Sequence, residues 1–99
     1  MRIVELDGSG WTTPLDFINA LRITIGAPNA ADLDALGETM IGGAVSLETP
    51  CTIRIAGTRH APSAVKNEIA ALTRMIEDAR LWRDNHRYGD IGVTIEILP

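Results

Sequence analysis

Three carboxylates fall between Asp32 and Glu38, in a spacing that suits the binding of a cationic partner. Asp32 stands where the pattern predicts a helix to begin, and a short acidic side chain there caps unpaired backbone N–H groups. Asp34 and Glu38 are four residues apart, so a helix would present both on one face. Such like charges repel slightly, so helix stability alone does not require the pair. We expect a negatively charged recognition surface; the alternative is capping with a solvated acidic face.

The other reactive residue types lack catalytic or metal-binding spacing. Cys51 falls on the apolar side of an alternating strand pattern, which indicates a buried thiol rather than a nucleophile. His60 and His86 are too far apart for a helical metal motif, and no third ligand suggests itself. Gly8 and Gly10 lack the third glycine of a dinucleotide-binding loop. We therefore predict a protein that is not an enzyme and that uses no metal or cofactor.

Length, charge and composition define the class of protein. The chain has 99 residues, of which 45% are apolar and 22% are charged, as expected for one globular domain. A net charge of −4 argues against direct nucleic-acid binding and favours a basic protein partner. The chain has a single cysteine and no apolar run long enough for a secretory signal or a membrane span. These features predict a cytoplasmic protein.

Hydrophobic periodicity predicts the elements that position the acidic residues. In chain order they are a strand over 2–6, a helix capped by Thr13, a short helix from about Asp32 to Ile41 ended by Gly42 and Gly43, a strand after Pro50, a long helix from about Ser63, and a strand over 93–97. Strands separated by helices pair in parallel through right-handed crossovers. We predict an α/β fold, with a three-stranded parallel sheet and helices mainly on one face, in a single domain over 1–99.

This order of elements resembles that of the barstar family of intracellular ribonuclease inhibitors. The resemblance extends from residue 3 to residue 98 and is sharpest in the segments DLDAL at 32–36 and PCTIRI at 50–55. In that family the short acidic helix and the loop before it fill the active site of the ribonuclease barnase. The resemblance implies a βααβαβ fold and binding of a basic ribonuclease.

The resemblance also implies a set of partner-binding residues, namely Asn29, Asp32, Asp34, Gly37 and Glu38. Three features depart from the family, and in one of them Glu38 stands where the family has the shorter aspartate. The loop at 28–31 carries only small or polar side chains, and Gly37 stands where the family has a tryptophan. Because aromatic anchors often dominate interface energies, a second interpretation stays open. In it, a barstar-like fold without inhibitory activity serves as an interaction or self-association module, through Trp82 or an exposed sheet edge.

Overall fold

The structure, a computed structural model, describes residues 2–42, 50–86 and 91–98. Its elements, in chain order, are β1 (Arg2–Asp7), α1 (Pro14–Ile25), α2 (Leu33–Ile41), β2 (Cys51–Ala56), α3 (Ser63–Asn85) and β3 (Val93–Ile97). The three strands form a parallel sheet in the order β1-β2-β3. The predicted α/β fold and βααβαβ order are therefore confirmed. Gly43, the second glycine of the predicted helix stop, lies outside the described residues.

The register of the sheet explains why one face is apolar and the other polar. In the central strand, Ile53 lies opposite Val4 and Ile95, whereas Arg54 lies opposite Glu5 and Glu96. Paired residues of parallel strands point to the same side of the sheet, and successive residues of one strand point to opposite sides. The apolar residues therefore share one face of the sheet and the charged residues share the other. Ile53 is fully buried beneath the helices. Arg54 lies on the other face, 3.7 Å from a carboxylate oxygen of Glu5 and 3.4 Å from one of Glu96.

Helix α1 begins and ends as the sequence predicts. Thr13 is the N-cap and Pro14 takes the first helical position, where its missing N–H costs nothing. The carboxylate of Asp16 accepts the backbone N–H groups of Thr12 at 2.8 Å and Thr13 at 3.1 Å. Gly26 ends the helix in the left-handed conformation, with φ of 71°. These terminal interactions define the start of the loop that leads to the acidic helix.

The core lies between the three helices and the apolar face of the sheet. The buried residues of the long helix α3 recur at spacings of three and four, as predicted; they are Val65, Ile69, Leu72 and Ile76. Each helix contributes one buried stripe to the same cluster, together with Cys51, Ile53 and Ile55 of β2. No helix among the described residues has the length and apolarity to cross a membrane.

Candidate functional site

The candidate site is the solvent-facing side of α2, whose beginning is determined by Asp32. The Oδ1 atom of Asp32 accepts the backbone N–H of Ala35 at 2.9 Å, so Asp32 is the N-cap that the sequence predicts. Asp34 follows in the first turn, where the helix dipole favours an acidic side chain. Asp32 therefore has a structural role that is sufficient to explain it, and the acids that remain available for recognition are Asp34 and Glu38.

Asp34 and Glu38 form an exposed pair one turn apart on α2. Within the described ranges, the ion pairs of this protein join Arg54 to Glu5 and Glu96, and Arg80 to Glu77. None of the described cations thus lies within ion-pair distance of Asp34 or Glu38. Repulsion between like charges at this spacing destabilises a helix by a few tenths of a kcal/mol, about 0.2–0.5. Placing the two acids side by side therefore does not stabilise the fold, and both carboxylates are open to an external cation.

Gly37 is buried on the flank of α2 that packs against α3, although it is three residues from Asp34 and next to Glu38 in the chain. It falls between the fully buried side chains of Leu36 and Met40, which belong to the inward stripe of the helix. A Cβ atom at position 37 would overlap the Cε methyl of Met75 and lie 3.3 Å from its Sδ. Gly37 therefore leaves room for the end of the Met75 side chain between α2 and α3. Position 37 is buried against α3 and offers no surface to a partner.

The C-terminal end of α2 is held by a residue that sequence reasoning did not single out for this role. Arg83 of α3 donates from Nη2 to the carbonyl oxygen of Ile41 at 2.5 Å, although the two are 42 residues apart. A guanidinium is favourable at a helix C-terminus because the last carbonyl groups carry partial negative charge. A cap at one end, Arg83 at the other and buried residues between them hold the nine-residue helix in one orientation.

Asn29 and Glu38 line one shallow surface depression between the loop at 26–30 and α2. Its volume is about 550 Å³, and the side chains around it are small, among them Pro28, Ala35 and Thr39. A turn in which Ala30 donates its N–H to the carbonyl of Ala27 at 3.1 Å shapes this loop. The structure therefore brings two predicted partner-binding residues, Asn29 and Glu38, to one concave surface.

The cysteine and the histidines are placed apart from this surface. Cys51 is 1% exposed in β2, and burial raises the pKa of its thiol, although Arg2 opposes this shift. His60 is exposed in the loop before α3. The ring of His86 stacks on that of Trp82, with centroids 4.1 Å apart. Across the described ranges, no group of three or more His, Cys, Asp or Glu side chains is arranged to hold a metal ion.

The site so defined is an acidic helix face, beside a shallow depression, on a small α/β domain with a parallel sheet. In comparisons with known proteins, no family model matches this chain and no curated protein matches it.

Proposed function

We propose that this protein is barstar-like and inhibits a ribonuclease, or a related protein with a basic cleft, by placing Asp34 and Glu38 in the active site of that partner. Asn29 and the loop before α2 form the rest of the contact, and Asp32 holds the start of the helix. The protein acts in the cytoplasm as a binding protein rather than an enzyme. It contacts no nucleic acid itself and needs no metal or cofactor.

The observation that supports this proposal most strongly is the contrast between the two sides of α2. The inner side is fixed by Leu36 and Met40, which are almost completely buried. The outer side presents Asp34 and Glu38 without an ion pair to any described residue. Because the backbone of α2 is already held in place, only the two acidic side chains must be ordered on binding, at about 0.5–1.5 kcal/mol each. The pair can therefore occupy the positions where a ribonuclease holds substrate phosphates with Arg, Lys and His.

The charge of the whole chain supports the same partner. The chain carries a net charge of −4, and a ribonuclease cleft that holds RNA is positively charged. Opposite fields accelerate association, and this acceleration falls as salt screens the charges. We expect association to be fastest at low ionic strength, with most of the salt dependence carried by the acidic face.

The test is capture of partners from a lysate of the source organism, followed by a ribonuclease assay with the captured protein. The bait is the native chain beside the double variant Asp34→Asn/Glu38→Gln, which removes two charges with little change in shape. The control is Asp78→Asn/Asp84→Asn, which removes two exposed charges from α3. Neutralising one member of a buried interfacial charge pair costs about 2–5 kcal/mol. The double variant should bind at least about a hundredfold more weakly, while the control should bind and inhibit like the native chain.

Two results would contradict the proposal. In the first, the acidic-face variant retains the same partner with the same affinity as the control. In the second, the captured partner is a ribonuclease whose activity is unchanged by a stoichiometric amount of the native chain. Barnase, the target of the family that this chain resembles, is a convenient first enzyme for the assay.

A second candidate function rests on the exposed end of α3. Leu81 and Trp82 are adjacent, large and apolar, and they are 62% and 51% exposed. Tryptophan is enriched in protein interfaces, so this pair favours an interaction or self-association module. Sedimentation equilibrium distinguishes the two functions. A dimer that Trp82→Ala dissociates, and that Asp34→Asn/Glu38→Gln leaves intact, would favour the module over the inhibitor.

A further inference from the structure

A second concave site lies where β2 and β3 end and α3 begins. Its volume is about 620 Å³, and its lining residues are Thr58, Arg59, Lys66, Ile69, Ile97 and Leu98. None of these residues lines the depression beside the acidic helix. The volume falls within the roughly 300–1,000 Å³ that small-molecule sites occupy.

Backbone contacts of the neighbouring loops hold the floor of this site in place. Gly57, with φ of 78°, takes a left-handed conformation, and a side chain there would meet the turn at residues 7–9. Thr58 is buried directly after it, and its carbonyl accepts the N–H of Ala61 at 3.0 Å. On the other side, Leu98 donates its N–H to the carbonyl of Ile55 at 2.8 Å. The site is therefore formed before any ligand arrives.

The charged side chains that line this site are both cationic, although the chain as a whole is acidic. The ammonium group of Lys66 donates to the backbone carbonyl of Arg59 at 2.8 Å, which leaves further N–H donors at the rim. The first turn of α3 contains no acidic residue that would offset this charge. Helix beginnings favour anions, so Arg59, Lys66 and the start of α3 together suit an anionic ligand in this depression.

The rest of the lining is apolar. Ile69 is buried and forms part of the core, whereas Ile97 is 47% exposed beside the two cations. An apolar ligand group resting against Ile97 and Leu98 would remove that exposed surface from water, at about 25 cal/mol per Å². The cationic and apolar parts of this depression are together complementary to a ligand that has an acid group at one end and a hydrocarbon body at the other.

We propose that this site binds a small amphiphilic anion, with its acid group at Arg59 and Lys66 and its hydrocarbon body against Ile69, Ile97 and Leu98. A carboxylate and a phosphate monoester share this chemistry. The proposal does not depend on ribonuclease inhibition, because the two sites have no lining residue in common.

The test is a titration of the ¹⁵N-labelled protein, followed by amide chemical shifts. Octanoate and octyl phosphate are the two anionic probes, and octanol is the neutral control of the same chain length. The proposal expects saturable shifts at 57–61, 66–69 and 97–98 with at least one anion, and the anion that binds more tightly identifies the acid group. Octanol should bind at least about tenfold more weakly, since a hydrogen bond to a charged group is worth about that factor.

Variants separate ligand binding from loop structure. Arg59→Gln removes a charged side chain but retains the backbone carbonyl that Lys66 contacts, so the loop should keep its structure. It should weaken anion binding about tenfold, whereas Arg74→Gln, the same change at an exposed position of α3, should not. Absence of saturable shifts up to roughly 10 mM, where even a millimolar site would be mostly filled, would overturn the proposal. Equal binding of octanol, or unchanged anion binding by Arg59→Gln, would do the same.

Discussion

Replacing Gly37 with leucine tests whether α2 is fixed against α3 in the way that leaves its acidic side exposed. At an open helical position this change would stabilise the protein by about 0.8 kcal/mol, because leucine forms helices better than glycine. In the structure, however, even a Cβ atom at position 37 would overlap the Cε methyl of Met75 and lie 3.7 Å from Leu72, so the longer leucine side chain has no free space. The larger leucine side chain must displace both. Overpacking of this kind typically costs about 1–3 kcal/mol.

Because the helix-propensity gain offsets part of this cost, we expect Gly37→Leu to lower the free energy of unfolding by about 1–2 kcal/mol. Urea unfolding followed by circular dichroism measures the change. With a denaturant dependence of about 1–2 kcal/mol per molar urea, the midpoint should fall by roughly 1 M at an unchanged slope.

A double-mutant cycle identifies the source of the loss. Met75→Ala removes the side chain that position 37 meets, so leucine at position 37 should be much less harmful in that background. The coupling energy between the two substitutions should be about 1 kcal/mol or more in the favourable direction. Stabilisation by Gly37→Leu alone would refute the reasoning. It would mean that the end of the Met75 side chain moves aside at little cost and that the packing of α2 on α3 tolerates a larger residue at position 37.

Three further predictions concern individual side chains. Asp32→Ala should lower the free energy of unfolding by about 1 kcal/mol, since it removes the N-cap of α2; an unchanged urea midpoint would contradict the capping role. The backbone N–H groups that bind Asp16 lower the pKa of its carboxyl group. The ionised carboxylate therefore stabilises the fold fully at pH values above the ordinary carboxyl pKa, and this stabilisation is lost as the pH falls through the lowered pKa. Urea midpoints measured at decreasing pH should therefore decline less for Asp16→Asn than for the native chain, and parallel profiles would count against this assignment. Cys51 should react slowly with a thiol reagent in the native state and rapidly in urea, because burial protects it and raises its pKa; equal rates would mean that β2 is accessible.

Much of the fold follows from local sequence pattern. Alternation in β2 predicts that Ile53 and Ile55 are buried and that Arg54 faces the other side, as observed. The cap at Asp32 and the exposure of Asp34 are local as well, because both depend on neighbours within one helical turn. Such features can be predicted from sequence because helix and strand periodicities decide which side of an element a residue occupies.

The tertiary structure alone decided how these elements meet. Gly37 was expected to face a partner, but the packing of α2 on α3 places it against Met75. Arg83 reaches the carbonyl of Ile41 across 42 residues, and no local pattern encodes that contact. The cationic depression likewise joins the end of β3 to the loop after β2 and the start of α3. Periodicity determines the side of an element on which a residue lies, whereas the partner it meets there depends on close packing between segments that are distant in the chain.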